Sequence, residues 1–147
     1  MEPLSSSGNG VADLIRVSDV AVASRDDVPA VARATRDCAR VAGFGIEDAE
    51  CVILAATELA TNLAKYAAGG NIHISLMDDG ARTVLQLESS DTGPGIPDTE
   101  QAMQDGFSTG GGLGAGLPGI RRLMDQFEIT TSSDGTRVVA RKWSSGR

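Results

Sequence analysis

The sequence is poor in aromatic residues, lysine, histidine and cysteine. Aromatic side chains make up 3% of its 147 residues, and it has one histidine, two cysteines and two lysines, Lys65 and Lys142. One histidine and the separated Cys38 and Cys51 provide too few ligands for a typical zinc site, and they favour buried thiols over a disulfide. A Walker A phosphate-binding loop is also excluded, because neither lysine follows the required glycine pattern.

The sequence also lacks a long apolar run and an excess of basic charge. No segment approaches the roughly 18 apolar residues that a membrane helix needs, and the first residues lack the layout of a signal peptide. Twenty acidic and 13 basic residues give a net charge of −7, which disfavours binding to duplex DNA or an anionic membrane. We therefore expect a cytoplasmic protein with neither a nucleic-acid nor a membrane partner.

Length and composition fit one globular domain. Domains usually contain about 100–150 residues, and 41% hydrophobic with 22% charged residues is an ordinary globular composition. Residues 1–10 show no periodicity and predict a disordered tail. Residues 11–147 predict a single domain without an internal linker.

Hydrophobic periodicity predicts helices and hairpins along the chain. The predicted strands cover residues 14–22, 72–76, 84–88, 127–130 and 136–141. The predicted helices cover residues 28–42, a stretch from about residue 47 that ends at Gly69-Gly70, and residues 117–126, with Pro118 in the first turn of the last helix. This order favours an α+β fold, a two-layer α/β sandwich with a mixed sheet and helices on one face.

Glycine is concentrated in one long connection. Nine of the 18 glycines lie between Gly93 and Gly119, and a loop from about residue 91 to residue 116 is too long for a neutral connection in a compact domain. Its last part precedes a helix, so successive backbone N–H groups there suit phosphate oxygens. Residues 114–119 also fit the pattern G-x-G-x-x-G, but no strand leads directly into them, which disfavours a dinucleotide site.

Glu58, Asn62 and Lys65 are predicted to project from one face of the second helix, because a spacing of three or four residues aligns side chains. A carboxylate can accept a proton, an amide oxygen can ligate a hard cation, and an ammonium group can contact a phosphate. Taken alone, the spacing of Glu58 and Asn62 is more typical of a solvated polar face, because polar pairs four residues apart are common on helices.

The segment from Asp91 to Gly95 follows a predicted strand and has the composition of a turn. Its two glycines would also let the backbone approach a flat ligand closely. The Asp91 carboxylate could accept a hydrogen bond from an exocyclic amine. On its own, this motif is a weak indication of function.

Taken in order, these motifs resemble the nucleotide-binding boxes of the GHKL ATPase/kinase superfamily. The matching residues are Glu58, Asn62 and Lys65-Tyr66, then Asp91, Gly93 and Gly95, then Gly112, Gly114, Gly116 and Leu117, and finally Gly135-Thr136. The runs 105–109 and 111–119, with Lys142-Trp143 near the end, are similar to the switch serine/threonine kinases of the bacterial stressosome. Thr92 beside the aspartate and Gly110, where a serine would be expected, depart from that pattern.

The resemblance implies a Bergerat-type ATP-dependent serine/threonine protein kinase with an ATP lid from Thr99 to Gly111. Asp91 would bind the adenine amino group with help from Thr136, while Asn62 would hold Mg²⁺, Lys65 would contact phosphates and Glu58 would orient or deprotonate the incoming hydroxyl. The other residues expected around the nucleotide are Gly93, Gly95, Gly110, Gly111, Gly112, Leu113, Gly114, Ala115, Gly116 and Leu117.

The same resemblance implies protein partners. The substrates would be STAS-domain scaffold or antagonist proteins of the stressosome, and the released kinase would activate a PP2C-type phosphatase in the general stress response. Two alternatives stay open at this point, an anti-sigma-factor kinase and a non-catalytic, ATP-responsive binding module. The glycine run 111–119 disfavours the first, and the retention of both Glu58 and Asn62 disfavours the second.

Overall fold

The structure is a computed structural model, and it describes residues 13–67, 69–92 and 113–144. The strands in these residues are β1 (Asp13–Val22), β2 (Gly70–Asp78), β3 (Thr83–Ser90), β4 (Gln126–Ser132) and β5 (Gly135–Trp143). The α-helices are α1 (Val28–Ala42), α2 (Ile46–Tyr66) and α3 (Leu113–Leu123), and a 3₁₀ turn at Arg25–Asp27 precedes α1. Among these helices, none is long and apolar enough to cross a membrane.

Local chemistry sets the start of the 3₁₀ turn that leads into α1 and the end of α1 itself. The Ser24 hydroxyl accepts a hydrogen bond from the backbone N–H of Asp26 at 3.2 Å, and the Asp27 carboxylate accepts one from the backbone N–H of Ser24 at 3.3 Å. This reciprocal arrangement is a capping box. At the other end the chain passes through Gly43, whose φ of +76° is left-handed and readily accessible to glycine.

The five strands form one sheet in the order β1-β2-β3-β5-β4. Every adjacent pair is antiparallel, so the prediction of a mixed sheet is wrong. The connection from β3 through α3 leads to β4, which runs in the same direction as β3, but β5 folds back between them. The other elements of the fold prediction, an α+β sandwich with helices against one face of the sheet, are confirmed.

The core lies between the helices and that face of the sheet. Alternate residues of β2 and β3 are fully buried there: Ile72, Ile74, Leu76, Leu85 and Leu87. From α2, the buried apolar residues are Val52, Ala55, Ala56, Leu59, Ala60 and Leu63. Burying a large aliphatic side chain stabilises a fold by about 1.5–3 kcal/mol, so α2 is firmly fixed on the sheet.

Helix α3 begins and ends earlier than the sequence pattern predicts. It starts at Leu113 rather than Leu117 and ends at Leu123 rather than residue 126, and Pro118 lies inside it rather than in its first turn. Glycine costs a helix about 1 kcal/mol relative to alanine, and proline lacks the N–H that would bond to the carbonyl four residues earlier. Burial of Leu117, Ile120 and Met124 in the core outweighs these local preferences.

Both cysteines are free thiols. Cys38 is fully buried, and this burial raises its pKa above the ordinary value of 9.0. Cys51 is only half-buried, so the prediction of buried thiols holds for Cys38 and is wrong for Cys51. Cys51 lines an open groove together with Leu54 and Leu123, which leaves its side chain partly exposed.

Lys142 joins the end of α3 to the beginning of α2. Its Nζ donates a hydrogen bond to the carbonyl oxygen of Leu123 at 3.0 Å, and it lies 3.7 Å from a carboxylate oxygen of Asp125 and 3.9 Å from one of Asp48. The side chain is only 12% exposed, so water screens these charges less than it would at the surface. Lys142 therefore helps to set the position of α3 relative to α2.

Replacing Lys142 with methionine should lower the free energy of unfolding by about 1–3 kcal/mol, because the carbonyl of Leu123 loses its partner and two carboxylates lose a counter-charge. Urea unfolding followed by circular dichroism measures the change. Arg121→Met, at an exposed site in the last turn of the same helix, is the control and should stay within about 0.5 kcal/mol of wild type. Equal stability of the Lys142 variant and wild type would contradict this role.

Candidate functional site

Glu58, Asn62 and Lys65 all lie on α2, on the sides of the helix that the core leaves uncovered. Leu59 and Leu63, next to them in the sequence, are buried against the sheet. Glu58 and Asn62 are half-buried, whereas Lys65 is exposed. Because the helix is continuous from Ile46 to Tyr66, the predicted spacing of these three residues becomes a spatial row along it.

Asn62 carries an unsatisfied polar atom in an otherwise well-paired interior. Its Nδ2 is buried and has no hydrogen-bond partner within the part of the chain that the structure describes. Leaving such a group unpaired costs a fold about 1–3 kcal/mol, so an orphaned polar atom calls for an explanation. Rotation of the terminal amide can bring either its nitrogen or its oxygen to this position. A neutral amide oxygen is a donor that Mg²⁺ accepts, so Asn62 fits the predicted metal ligand.

Asp91 follows β3 directly, and the hairpin of β4 and β5 holds its backbone. The N–H of Asp91 donates to the carbonyl oxygen of Thr136 at 3.1 Å. The hydroxyl of Thr136 lies 2.9 Å from that of Thr131, which the register of β4 and β5 places directly opposite. The predicted base-binding residues Asp91 and Thr136 are therefore neighbours across two strands of the sheet.

Two open grooves meet at Asp91. The larger has a volume of about 580 Å³ and is lined by Ala21, Val22, Ala23, Gly69, Gly70, Asn71, Ser90, Asp91 and Thr92. The smaller has a volume of about 270 Å³ and is lined by Ser90, Asp91, Thr130, Thr131, Ser132, Asp134, Gly135, Thr136 and Arg137. Ligand sites usually enclose roughly 300–1,000 Å³, so the larger groove is of that size. Both grooves border the residue that is predicted to bind the base.

The phosphate-binding stretch is described only in part. Gly93, Gly95, Gly110, Gly111, Gly112 and the predicted lid from Thr99 to Gly111 lie outside the described residues. Leu113, Gly114, Ala115, Gly116 and Leu117 form the first turns of α3, whereas the sequence pattern predicted a loop as far as Gly116 and a helix only from Leu117. The first N–H groups of a helix have no partner within it and carry the positive end of its dipole, so this change preserves their ability to bind phosphate oxygens.

The packing of α3 against α2 brings the two halves of the predicted site onto adjacent helices. Leu117 and Ile120 of α3 belong to the same buried cluster as Leu59 and Leu63 of α2. The start of α3 and the row from Glu58 to Lys65 therefore belong to one packed unit. Thr131 was not among the predicted site residues, although the alternation along β4 could have indicated that it lies opposite Thr136.

Comparison with known proteins defines the class. Residues 21–142 match the family model of the histidine kinase-like ATPase domain, and the chain belongs to this family. It is 42% identical, over 127 residues, to the serine/threonine-protein kinase RsbT of Bacillus subtilis (strain 168), a match that covers 86% of this chain and 96% of that kinase. The protein is accordingly an RsbT-like GHKL serine/threonine protein kinase of the partner-switching stress-response type, and ATP is its nucleotide.

Solved structures share the fold at low sequence identity. The RsbU and RsbW domains of Rv1364c from Mycobacterium tuberculosis superpose with a TM-score of 0.62 at 16% identity, over 87% of this chain and 32% of that longer chain. The SiaB-SiaC complex from Pseudomonas aeruginosa gives a TM-score of 0.52 at 13% identity, over 88% of this chain and 90% of the matched chain. These likenesses show the fold alone.

Replacing Asn62 with leucine should separate stability from binding. The change removes a buried polar atom that has no described partner, so the free energy of unfolding should stay the same or rise by about 1 kcal/mol. Magnesium-dependent ATP binding, measured by calorimetry, should weaken at least tenfold. Thr61→Ala on the same helix is the control and should keep wild-type affinity. An Asn62→Leu protein that is folded and binds Mg-ATP normally would exclude Asn62 as the ligand.

Proposed function

We propose that the protein transfers the γ-phosphate of Mg-ATP to a serine or threonine of STAS-domain stressosome proteins. We further propose that the kinase, once released from that scaffold, activates a PP2C-type phosphatase. The proposal depends most on two neighbouring residues of α2. Glu58 is a half-buried acid one helical turn from Asn62, and the buried amide nitrogen of Asn62 has no partner among the described residues.

Asn62 is the residue that would hold the metal. Its amide oxygen supplies one protein ligand, which suits an ion that keeps several waters and takes its other ligands from phosphates. When bound, Mg²⁺ supplies neutralisation of the charge on the phosphates during transfer. Lys65, exposed one turn further along α2, and the N–H groups at the start of α3 would contact the phosphates from two sides.

Glu58 is the residue that would act on the acceptor hydroxyl. It lies one turn before Asn62, so a hydroxyl that approaches a phosphate held at Asn62 comes within reach of its carboxylate. The carboxylate orients the hydroxyl and accepts its proton, a contribution of typically 10²–10⁴ in rate. A module that only bound ATP would have no need for this acid.

Asp91 and Thr136 would recognise the base. The Asp91 carboxylate accepts a hydrogen bond from the 6-amino group of adenine, and Thr136 is the residue whose carbonyl already holds the Asp91 backbone. The proposed site also includes five glycines that lie outside the described residues: Gly93, Gly95, Gly110, Gly111 and Gly112. The base and the metal are thus assigned to two different elements, the end of β3 and the middle of α2.

The surface beside Glu58 favours a protein substrate over a small molecule. Leu54, one turn before Glu58, is 50% exposed. A groove of about 260 Å³ on this side is lined by Glu50, Cys51, Ile53, Leu54, Thr57 and Leu123. Exposed apolar residues next to a predicted general base suit an apolar patch around the acceptor hydroxyl of a folded protein.

The direct test is a phosphotransfer assay with labelled ATP and a purified STAS-domain protein. We expect label in the STAS protein, located by mass spectrometry at a serine or threonine, and none when that residue is replaced by alanine. Transfer to no STAS protein, together with tight binding to a sigma factor, would instead support the anti-sigma-factor alternative.

Glu58→Gln should keep ATP affinity within about twofold, because the side chain keeps its shape, while the transfer rate falls by about 10²–10⁴ since an amide cannot accept the proton. Calorimetry and a single-turnover assay measure the two effects. Glu47→Gln, in the first turn of α2 and exposed, is the matched control with a wild-type rate. A wild-type rate for Glu58→Gln would remove this residue from the chemistry.

A further inference from the structure

Two glycines flank Asp91, one on each side of β3. Gly70 begins β2, which pairs with β3 so that Asn71 lies opposite Ser90. A Cβ at Gly70 would overlap the carbonyl oxygen of Ser90 and lie 3.2 Å from Cβ of Asp91. Gly135 begins β5 on the other side of β3, and a Cβ there would overlap the carbonyl oxygen of Asp91 itself.

These overlaps cannot be relieved by rotating a side chain. Real Cβ atoms essentially never come closer than 3.0 Å to a heavy atom, and both overlaps fall below that limit against backbone oxygens. Any side chain at either position therefore requires the backbone around Asp91 to shift. Asp91 is held between two neighbours that have no side chain.

Helix termination does not explain the glycine at position 70. The preceding Gly69 has a φ of +106°, and its N–H donates to the carbonyl oxygen of Leu63 at 3.0 Å, which ends α2. Gly70 is not among the glycines with positive φ, so its conformation is open to any residue. What excludes a side chain there is the space that Ser90 and Asp91 occupy.

We propose that Gly70 is a positioning residue for base recognition, with Gly135 as its counterpart across β3. By lacking a side chain, Gly70 lets β2 approach β3 closely enough to place the Asp91 carboxylate at the adenine amino group. This inference rests on the proposed role of Asp91. The turn at Gly69-Gly70 also connects two parts of the proposed site, because it joins α2, which carries Asn62, to β2, which lies beside Asp91.

The test compares ATP with inosine triphosphate, which carries an oxygen acceptor in place of the 6-amino group. We expect Gly70→Ala to weaken binding of Mg-ATP about tenfold, the scale of one hydrogen bond to a charged group, and to change inosine triphosphate binding less than twofold. The preference for ATP over inosine triphosphate should therefore fall about tenfold. A loss of global stability would not by itself change the ratio of two affinities measured on folded protein.

Gly135→Ala tests the same contact from the other side. Its hairpin ends in exposed residues beside the edge strand β4 and has room to shift, so this variant decides the matter if Gly70→Ala does not fold. Gly80→Ala is the control, because Gly80 has a left-handed φ of +95° but no heavy atom within 4 Å of its Cβ position. Alanine at position 80 should suffer backbone strain of the kind expected at Gly135, whose φ is +146°, but no steric overlap, and this variant should keep the wild-type preference for ATP.

An Asp91 variant distinguishes failure of the positioning role of Gly70 from failure of the proposed base-binding role of Asp91. Asp91→Asn should reduce the preference for ATP over inosine triphosphate. If it does, but folded Gly70→Ala and Gly135→Ala keep the wild-type ratio of the two affinities, only the positioning role is overturned. If Asp91→Asn leaves the ratio unchanged, the base is bound elsewhere and both fail. A loss of preference in Gly80→Ala as large as in Gly70→Ala would also overturn the positioning role.

Discussion

The contact between α2 and the sheet determines where the candidate site lies. Three residues of this helix, Val52, Ala56 and Leu59, are fully buried or nearly so, and the small alanine lets the helix approach the strands closely. Because one side of α2 is fixed in this way, Asn62 and Glu58 are held on a rigid element rather than on a loop. The proposed proton acceptor and metal ligand would benefit from such support, since small displacements of catalytic groups reduce rates strongly.

Several features of the proposed site lower the stability of the fold. The buried amide nitrogen of Asn62 has no partner in the described residues. The first turns of α3 contain Gly114, Gly116 and Pro118, which are poor residues for a helix interior. These local costs are offset by core packing at Leu117 and Ile120. Residues selected for stability alone would be different at each of these positions.

How much could be predicted depends on the range of the interaction involved. Strand and helix positions followed from local periodicity, and the neighbouring places of Asp91 and Thr136 agree with the order of the motifs. The antiparallel sheet did not follow, because β5 inserts between β3 and β4 only through long-range pairing. The early start of α3 was missed because burial of Leu117 overrides the low helical preference of the glycines before it.

The role proposed for Gly70 also depends on a long-range contact that the local sequence pattern does not predict. In the sequence it follows Gly69 and indicates only a helix end, while its contact with Ser90 joins positions that are 20 residues apart and exists only in the folded sheet. The consequence reaches the chemistry, because one short turn links α2, which carries the proposed metal ligand, to the strand that carries the proposed base ligand. A nucleotide that engages both must match a spacing set by backbone contacts. Specificity for ATP would then depend on residues without side chains as much as on Asp91.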